Sequence, residues 1–190
     1  MYRTKQYKIT GQSPLVMHNG QLADPLNEYA RDMKKISGKR DKTEADFAEL
    51  ARLEWYGSLY LHDGKPCIPG EIIEATFLNG AKKRKRGQQA KAGIYCDKNF
   101  PLLHNGKGGD LKNMWESGDY KFSVPVVVQR SRVIRTRPKF DGWSAVIEIN
   151  YDEKLLNPSE VLDILTVCGE QVGLCDWRPK FGRFLVEEAR

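Results

Sequence analysis

Long apolar runs are missing from this 190-residue sequence: nothing approaches the roughly 20 consecutive apolar residues of a bilayer-spanning helix. The first eight residues, Met-Tyr-Arg-Thr-Lys-Gln-Tyr-Lys, lack the apolar stretch of a secretory signal, so no membrane partner and a cytosolic or nucleoid location are expected. Cysteine is scarce and scattered. Cys67, Cys96, Cys168 and Cys175 form no Cys-x-x-Cys pair, the spacing structural zinc sites usually need, so no metal is expected and the thiols read as reduced and mostly buried. His18, His62 and His104 sit in no recognisable nucleophile or metal motif, and Walker, Rossmann and zincin patterns are absent. These absences argue against an enzyme, a cofactor or a small-molecule substrate. His18, beside Asn19 and Gly20 after the first strand, is the residue that would serve as acid or base if the chain did cleave RNA.

What is present is charge, and it is segregated. Residues 82–91 carry six cations (Lys82, Lys83, Arg84, Lys85, Arg86 and Lys91) and no anion; residues 130–139 carry five (Arg130, Arg132, Arg135, Arg137 and Lys139) and again no anion. Together they hold +11 against a net charge of +6, which leaves the rest of the chain at −5. A mildly acidic body with two concentrated basic tracts is the electrostatic footprint of a polyanion binder.

Patterning along the chain predicts an α+β fold. A first strand spans residues 5–17, followed by a helix opening at Asp24-Pro25 with Leu26, Tyr29, Ala30, Met33 and Ile36 at helical spacing. Thr43 opens a second helix with Phe47, Leu50 and Ala51 on its apolar face. His62-Asp63-Gly64-Lys65 is turn chemistry and closes a small hairpin at Cys67-Ile68. A helix follows over residues 71–86, its basic end set against the negative pole of the helix dipole. Residues 88–121 read as a glycine-rich loop insertion. Two β-rich stretches, 124–137 and 143–151, flank Asp141-Gly142, which reads as their hairpin turn. Asn157 with Glu160 forms a capping box for the next helix, Gly173 ends it, and residues 181–187 make the last strand. With the helical and hairpin insertion 20–66 and the loop insertion 88–121 set aside, one domain over 1–190 remains. Its order is strand, helix, strand, strand, helix, strand, the ferredoxin-like βαββαβ plan of RNA-recognition domains.

In the segment 129–139, arginines fall in two pairs at two-residue spacing, Arg130 with Arg132 and Arg135 with Arg137. That spacing places guanidinium groups ~6–7 Å apart along one strand face, near the phosphate spacing of a single nucleic-acid strand. Val124, Val126 and Val128 would share a face with Arg130 and Arg132. The segment therefore either runs past the core edge or bulges near Ser131, projecting Arg135, Arg137 and Lys139 together. Lysine would suffice for a solvated edge; arginine favours bidentate anion contacts. A third candidate contact is the turn-rich stretch 173–184, with Trp177 placed to stack on a base and Arg178, Lys180 and Arg183 around it. On the predicted core the helix ending at Arg86 and the arginine segment belong to neighbouring elements, and their cations are expected to line one groove.

Three stretches carry a resemblance: Pro-Leu-Val-Met-His-Asn-Gly at 14–20, Cys-Ile-Pro-Gly followed by a helix with a basic end at 67–86, and the glycine-punctuated 173–188. In this order they resemble the RAMP superfamily, specifically the backbone subunits of CRISPR effector complexes that coat guide RNA. The likeness is to a stand-alone relative of phage-borne kind, nearer a single-strand-binding protein than an effector subunit. It implies an RRM-like palm, head-to-tail homo-oligomers along single-stranded RNA or DNA, and no nuclease centre. It also implies that the helical stretch 24–55 meets a neighbouring protomer or the nucleic acid. The competing expectations are an endoribonuclease using His18, and a protein-binding inhibitor or adaptor whose basic tracts meet an acidic partner.

Overall fold

In a computed structural model, residues 1–106, 109–128 and 130–189 are described. Along the chain come β1 (Tyr2–Gly11), β2 (Leu15–Val16), α1 (Glu28–Ser37), α2 (Glu44–Ser58), β3 (Leu61–His62), β4 (Lys65–Pro69), α3 (Gly70–Lys83) and α4 (Gly87–Gly93). There follow β5 (Ile94–Tyr95), β6 (Asn99–Pro101), α5 (Leu111–Ser117), β7 (Lys121–Val128), β8 (Ser131–Phe140), β9 (Ser144–Asp152), α6 (Pro158–Val167) and β10 (Phe184–Glu188). Helices stand beside several antiparallel sheets, so the fold is α+β. The chain divides into two compact units: Met1–Leu15, Leu61–Lys107 and Phe140–Arg190 form the first, and Val16–Tyr60 with Gly108–Lys139 the second.

The first unit is built on a four-stranded sheet in the order β10-β1-β9-β5, every pairing antiparallel. Period-two alternation sends Tyr7 and Ile9 of β1 and Ala145, Ile147, Ile149 and Tyr151 of β9 to one buried face. With them are buried Ile73, Phe77 and Ala81 of α3 and Val161, Ile164 and Leu165 of α6. The Val, Leu, Ile and Phe side chains among them contribute roughly 1.5–3 kcal/mol each by leaving water. Gly80 is glycine for a steric reason: a Cβ there would meet Cys168 Sγ at 2.4 Å. Hydrogen bonds tie down the sheet's other face, from Thr4 Oγ1 to Asn150 (2.6 Å), from Gln6 to Glu148 (3.2 Å) and from Lys98 to Glu148 (2.6 Å).

Several local expectations hold. Asp63 and Gly64 both take positive φ and turn the β3–β4 hairpin, as the sequence chemistry there demands. Thr43 with Asp46, and Asn157 with Glu160, form complete capping boxes. The first helix starts later than expected: Asn27, not Asp24, caps α1, and Leu26 lies outside it in solvent.

Two larger expectations are corrected. Residues 124–137 are not one strand and do not supply the second strand of the main sheet. They fold on themselves as the β7–β8 hairpin, with Val128 opposite Ser131 and Val124 opposite Arg135. The connection includes Arg130, which takes a left-handed φ of 69°; Gln129 lies outside the described residues, as do residues 107, 108 and 190. A reversal at Arg130 removes the conflict between valines and arginines without a bulge. The strand next to β9 is instead Ile94–Tyr95, drawn from the segment read as a loop, which also holds α4, β6 and α5. Accordingly Asp141-Gly142 does not turn a hairpin, because β8 and β9 belong to different sheets.

In the second unit β8 is flanked by β2 and β7. The helical segment is anchored at one end. Trp55 of α2 is fully buried and its Nε1 donates to Tyr120 O at 2.9 Å, while Lys121 Nζ sits 3.6 Å above the Trp115 ring. The side-chain amides of Asn19 and Gln21 donate to the carbonyls of Leu59 and Gly57, both at 2.9 Å. Away from this anchor the packing thins: α1 has no fully buried residue, and Phe47 near the start of α2 is 59% exposed.

Candidate nucleic-acid interface

The β7–β8 register fixes what each face of the hairpin carries. Val124 and Val126 share one face with their partners Arg135 and Val133, so β8 presents Arg135, Arg137 and Lys139 on the same side. All three are half-buried, whereas Arg130 and Arg132 are exposed. Arg135 is already engaged. Its Nη1 donates to Glu54 Oε1 at 2.9 Å, and the other Glu54 oxygen accepts the Thr136 amide at 2.8 Å. Glu54, on the anchored half of α2, is only 4% exposed, so this pair is structural: it satisfies a buried carboxylate that would otherwise be costly.

Above that pair opens a cleft of about 1390 Å³ within the second unit. One wall is helical, with Ala30, Met33 and Lys34 from α1 and Phe47, Leu50 and Ala51 from α2. The other is the hairpin, with Val126, Val127 and Val128 from β7 and Arg132 to Arg137 from β8. Lys42 and His18 also line it; His18 is exposed, and its carbonyl accepts the Tyr60 hydroxyl at 3.0 Å. Phe47 on the helical wall is 59% exposed, and Val127 (69%) and Ile134 (64%), which alternate with Val126, Val133 and Arg135, leave hydrophobic surface uncovered on the hairpin's other face. Apolar side chains and cations therefore stand side by side on solvent-open surface of this unit.

The basic tract Lys82 to Arg86 lies in the first unit, at the junction of α3 and α4. Two of its five cations are paired with α6: Arg84 with Asp163 at 3.3 Å, and Arg86 with Glu160. Lys82, Lys83 and Lys85 are exposed, and Lys82, Lys85 and Lys91 line a shallow depression with Gln88 and Gln89. The third stretch, also in the first unit, is a turn closed by the Leu174 amide donating to the Gly182 carbonyl at 2.9 Å. Positive φ at Cys175 and Trp177 holds the Trp177 ring 39% exposed, with Lys180 Nζ 5.6 Å from its centre. Arg178 and Lys180 are exposed, and Arg183 Nε donates to Pro179 O at 2.8 Å.

The outer face of the main sheet offers less. Its aromatic groups Tyr2 and Tyr95 meet edge to face at one end, rings 5.3 Å apart, while Thr4, Gln6, Val146 and Glu148 occupy its middle. No platform for stacked bases lies at the sheet's centre, where RNA-recognition domains carry one. All four cysteines are free, and burial pushes Cys96 and Cys168 up to about 12, leaving them protonated at neutral pH. Among the described residues no group of three or more His, Cys, Asp or Glu side chains is placed to hold a metal ion, and no helix is long and apolar enough to cross a membrane.

Sequence reading found the arginines of β8 but not their surroundings. Met33 and Phe47 read as apolar-face residues of their helices, and Lys34, Lys42 and Glu54 drew no reading. Only pairing across some eighty residues gathers them, and no local pattern announces that. Compared with known proteins, the chain matches no family model and no curated protein sequence.

Proposed function

We propose that this protein binds single-stranded RNA or DNA without cleaving it, through the cleft of its second unit. The observation that carries the reading is a cleft that sets apolar side chains (Met33, Phe47, Leu50, Val126, Val133) beside the cations Lys34 and Lys42. A duplex hides its base faces; a single strand offers both phosphate charge and apolar surface. Lys82, Lys83 and Lys85, with Trp177, Arg178 and Lys180, are further candidate contacts.

The finer fold reading is ferredoxin-like. Numbering the main-sheet strands by chain order gives 4-1-3-2, with α3 between the first and second and α6 between the third and fourth, as a βαββαβ unit requires. That plan and the resemblance at 14–20, 67–86 and 173–188 support kinship with the RAMP backbone subunits, and with it head-to-tail assembly along the bound strand.

Fluorescence titration of the full chain with labelled poly-dT and poly-U tests the reading. Saturable binding at low salt that weakens as salt rises is expected; no saturable binding at low salt overturns it. His18 lines the same cleft, so incubation with a structured RNA belongs beside the titration: intact RNA is expected, and cleavage abolished by His18→Ala would make the cleft a ribonuclease centre.

A further inference from the structure

We infer that the bound strand lies with its bases turned into the cleft and its phosphates outward, so that the strand it holds is withheld from pairing with a complement. This rests on the single-strand reading and deepens it.

Burial orders the cleft lining by depth. Glu54, 4% exposed, lies at the bottom with the Thr136 amide it accepts from, while Lys34 is exposed at the mouth. The charged groups at the bottom are spent on each other. Glu54 takes both the Arg135 guanidinium and the Thr136 amide, so an incoming phosphate meets a neutralised pair and a carboxylate rather than an open cation. Between bottom and mouth stand Met33, Leu50, Val126 and Val133, none of which gains from a phosphate. Base planes are the part of a nucleic acid that gains by apolar contact, and every base has such a face. Bases inward and backbone at the rim satisfies each layer; the reverse places phosphates on valines and on Glu54. The same layering makes recognition tolerant of sequence, since Glu54, Arg135 and the Thr136 amide already meet one another.

A peptide strand is a poorer occupant. β7 is the outer strand of its sheet, but Pro125 stands in its middle and has no N–H to offer, so the edge cannot pair a continuous added strand. The uncovered valines are therefore available for face contact, not for sheet extension.

The test compares two labelled strands of equal length and charge, oligo-dT and its fully abasic counterpart, by fluorescence anisotropy with the full chain at low and at moderate salt. At moderate salt the abasic strand is expected to bind ~10-fold more weakly or worse, from the stacking lost per base. Phe47→Ala, at a mostly exposed position that leaves the fold intact, is expected to weaken oligo-dT binding and leave abasic binding unchanged. A stopped-flow mixture with a quencher-bearing complement is expected to anneal at least ~10-fold more slowly once the strand is saturated with protein. Equal binding of the two strands overturns the inference while sparing the single-strand reading, and so does unimpeded annealing on the protein. If neither strand binds at low salt, both fall.

Discussion

At the residue scale, the arginines of β8 divide into those that hold the fold and those that face outward, and substitutions separate them. Arg135→Glu sets a second carboxylate against the buried Glu54 and removes its partner. The expected cost is about 2–3 kcal/mol, at the lower end of what stranding a buried charge costs, because the Arg135 side chain is a third exposed. Urea denaturation should show a lowered midpoint. Arg132→Glu, exposed and with its Cα opposite Val127, should leave the midpoint within ~0.5 kcal/mol of the parent and weaken oligo-dT binding several-fold. If the two variants lose stability equally, the Glu54 pair is not structural. A charge reversal of Arg135 and Arg137 together would confound binding with folding, which the bare sequence gave no means to see.

At the scale of elements, the α1–α2 segment depends on its caps because it has little core. Asp46 closes the capping box on Thr43 and meets Lys39 Nζ at 2.6 Å. The Lys39 hydrogen bond first, then the Thr43 amide, draws its carboxyl from the ordinary 3.8 down to about 2. A carboxyl that binds its proton less readily folded than unfolded stabilises the fold fully above its unfolded value. That contribution is lost as pH falls from about 4 through about 2. Far-UV circular dichroism on acidification should therefore show helix lost in that window, and Asp46→Asn should be less stable at neutral pH with the step diminished. Such caps were legible in the sequence, as was the Asp63-Gly64 turn, because each is decided by residues three or four apart. The β7–β8 reversal was not: its described turn residue is Arg130, which adopts positive φ without the glycine or asparagine that announces a hairpin. Ile94–Tyr95 was too short to show a period, and Asp141-Gly142, a sound local signal, lies where the chain leaves one sheet for another. Basic tracts could be read as charge. Which of their members were already paired could not, since Asp163, Glu160 and Glu54 come from elements remote in sequence.

At the scale of the whole molecule, the two basic tracts belong to different units, and salt dependence can determine whether both meet the strand. Each phosphate neutralised on a single strand contributes roughly −0.7 to the slope of log K against log salt. Lys34, Lys42, Arg130 and Arg132 of the second unit, joined by Lys82, Lys83, Lys85 and Lys91 of the first, would give a slope of about −5 to −6. Replacing Lys82, Lys83 and Lys85 with glutamine removes three of these contacts and should bring the slope to about −3 to −4, while sparing Arg84 and Arg86, whose ion pairs join α3 and the α3–α4 junction to α6. An unchanged slope would confine the interface to the cleft and reduce the first tract to a solvated helix end. Strand length supplies the complementary measurement. Head-to-tail assembly is a heterologous contact that does not close, so sedimentation of the protein on oligonucleotides of increasing length should add protomers stepwise without a limiting number. A complex that stays at one protein per strand, however long the strand, would leave the binding cleft standing and remove the filament.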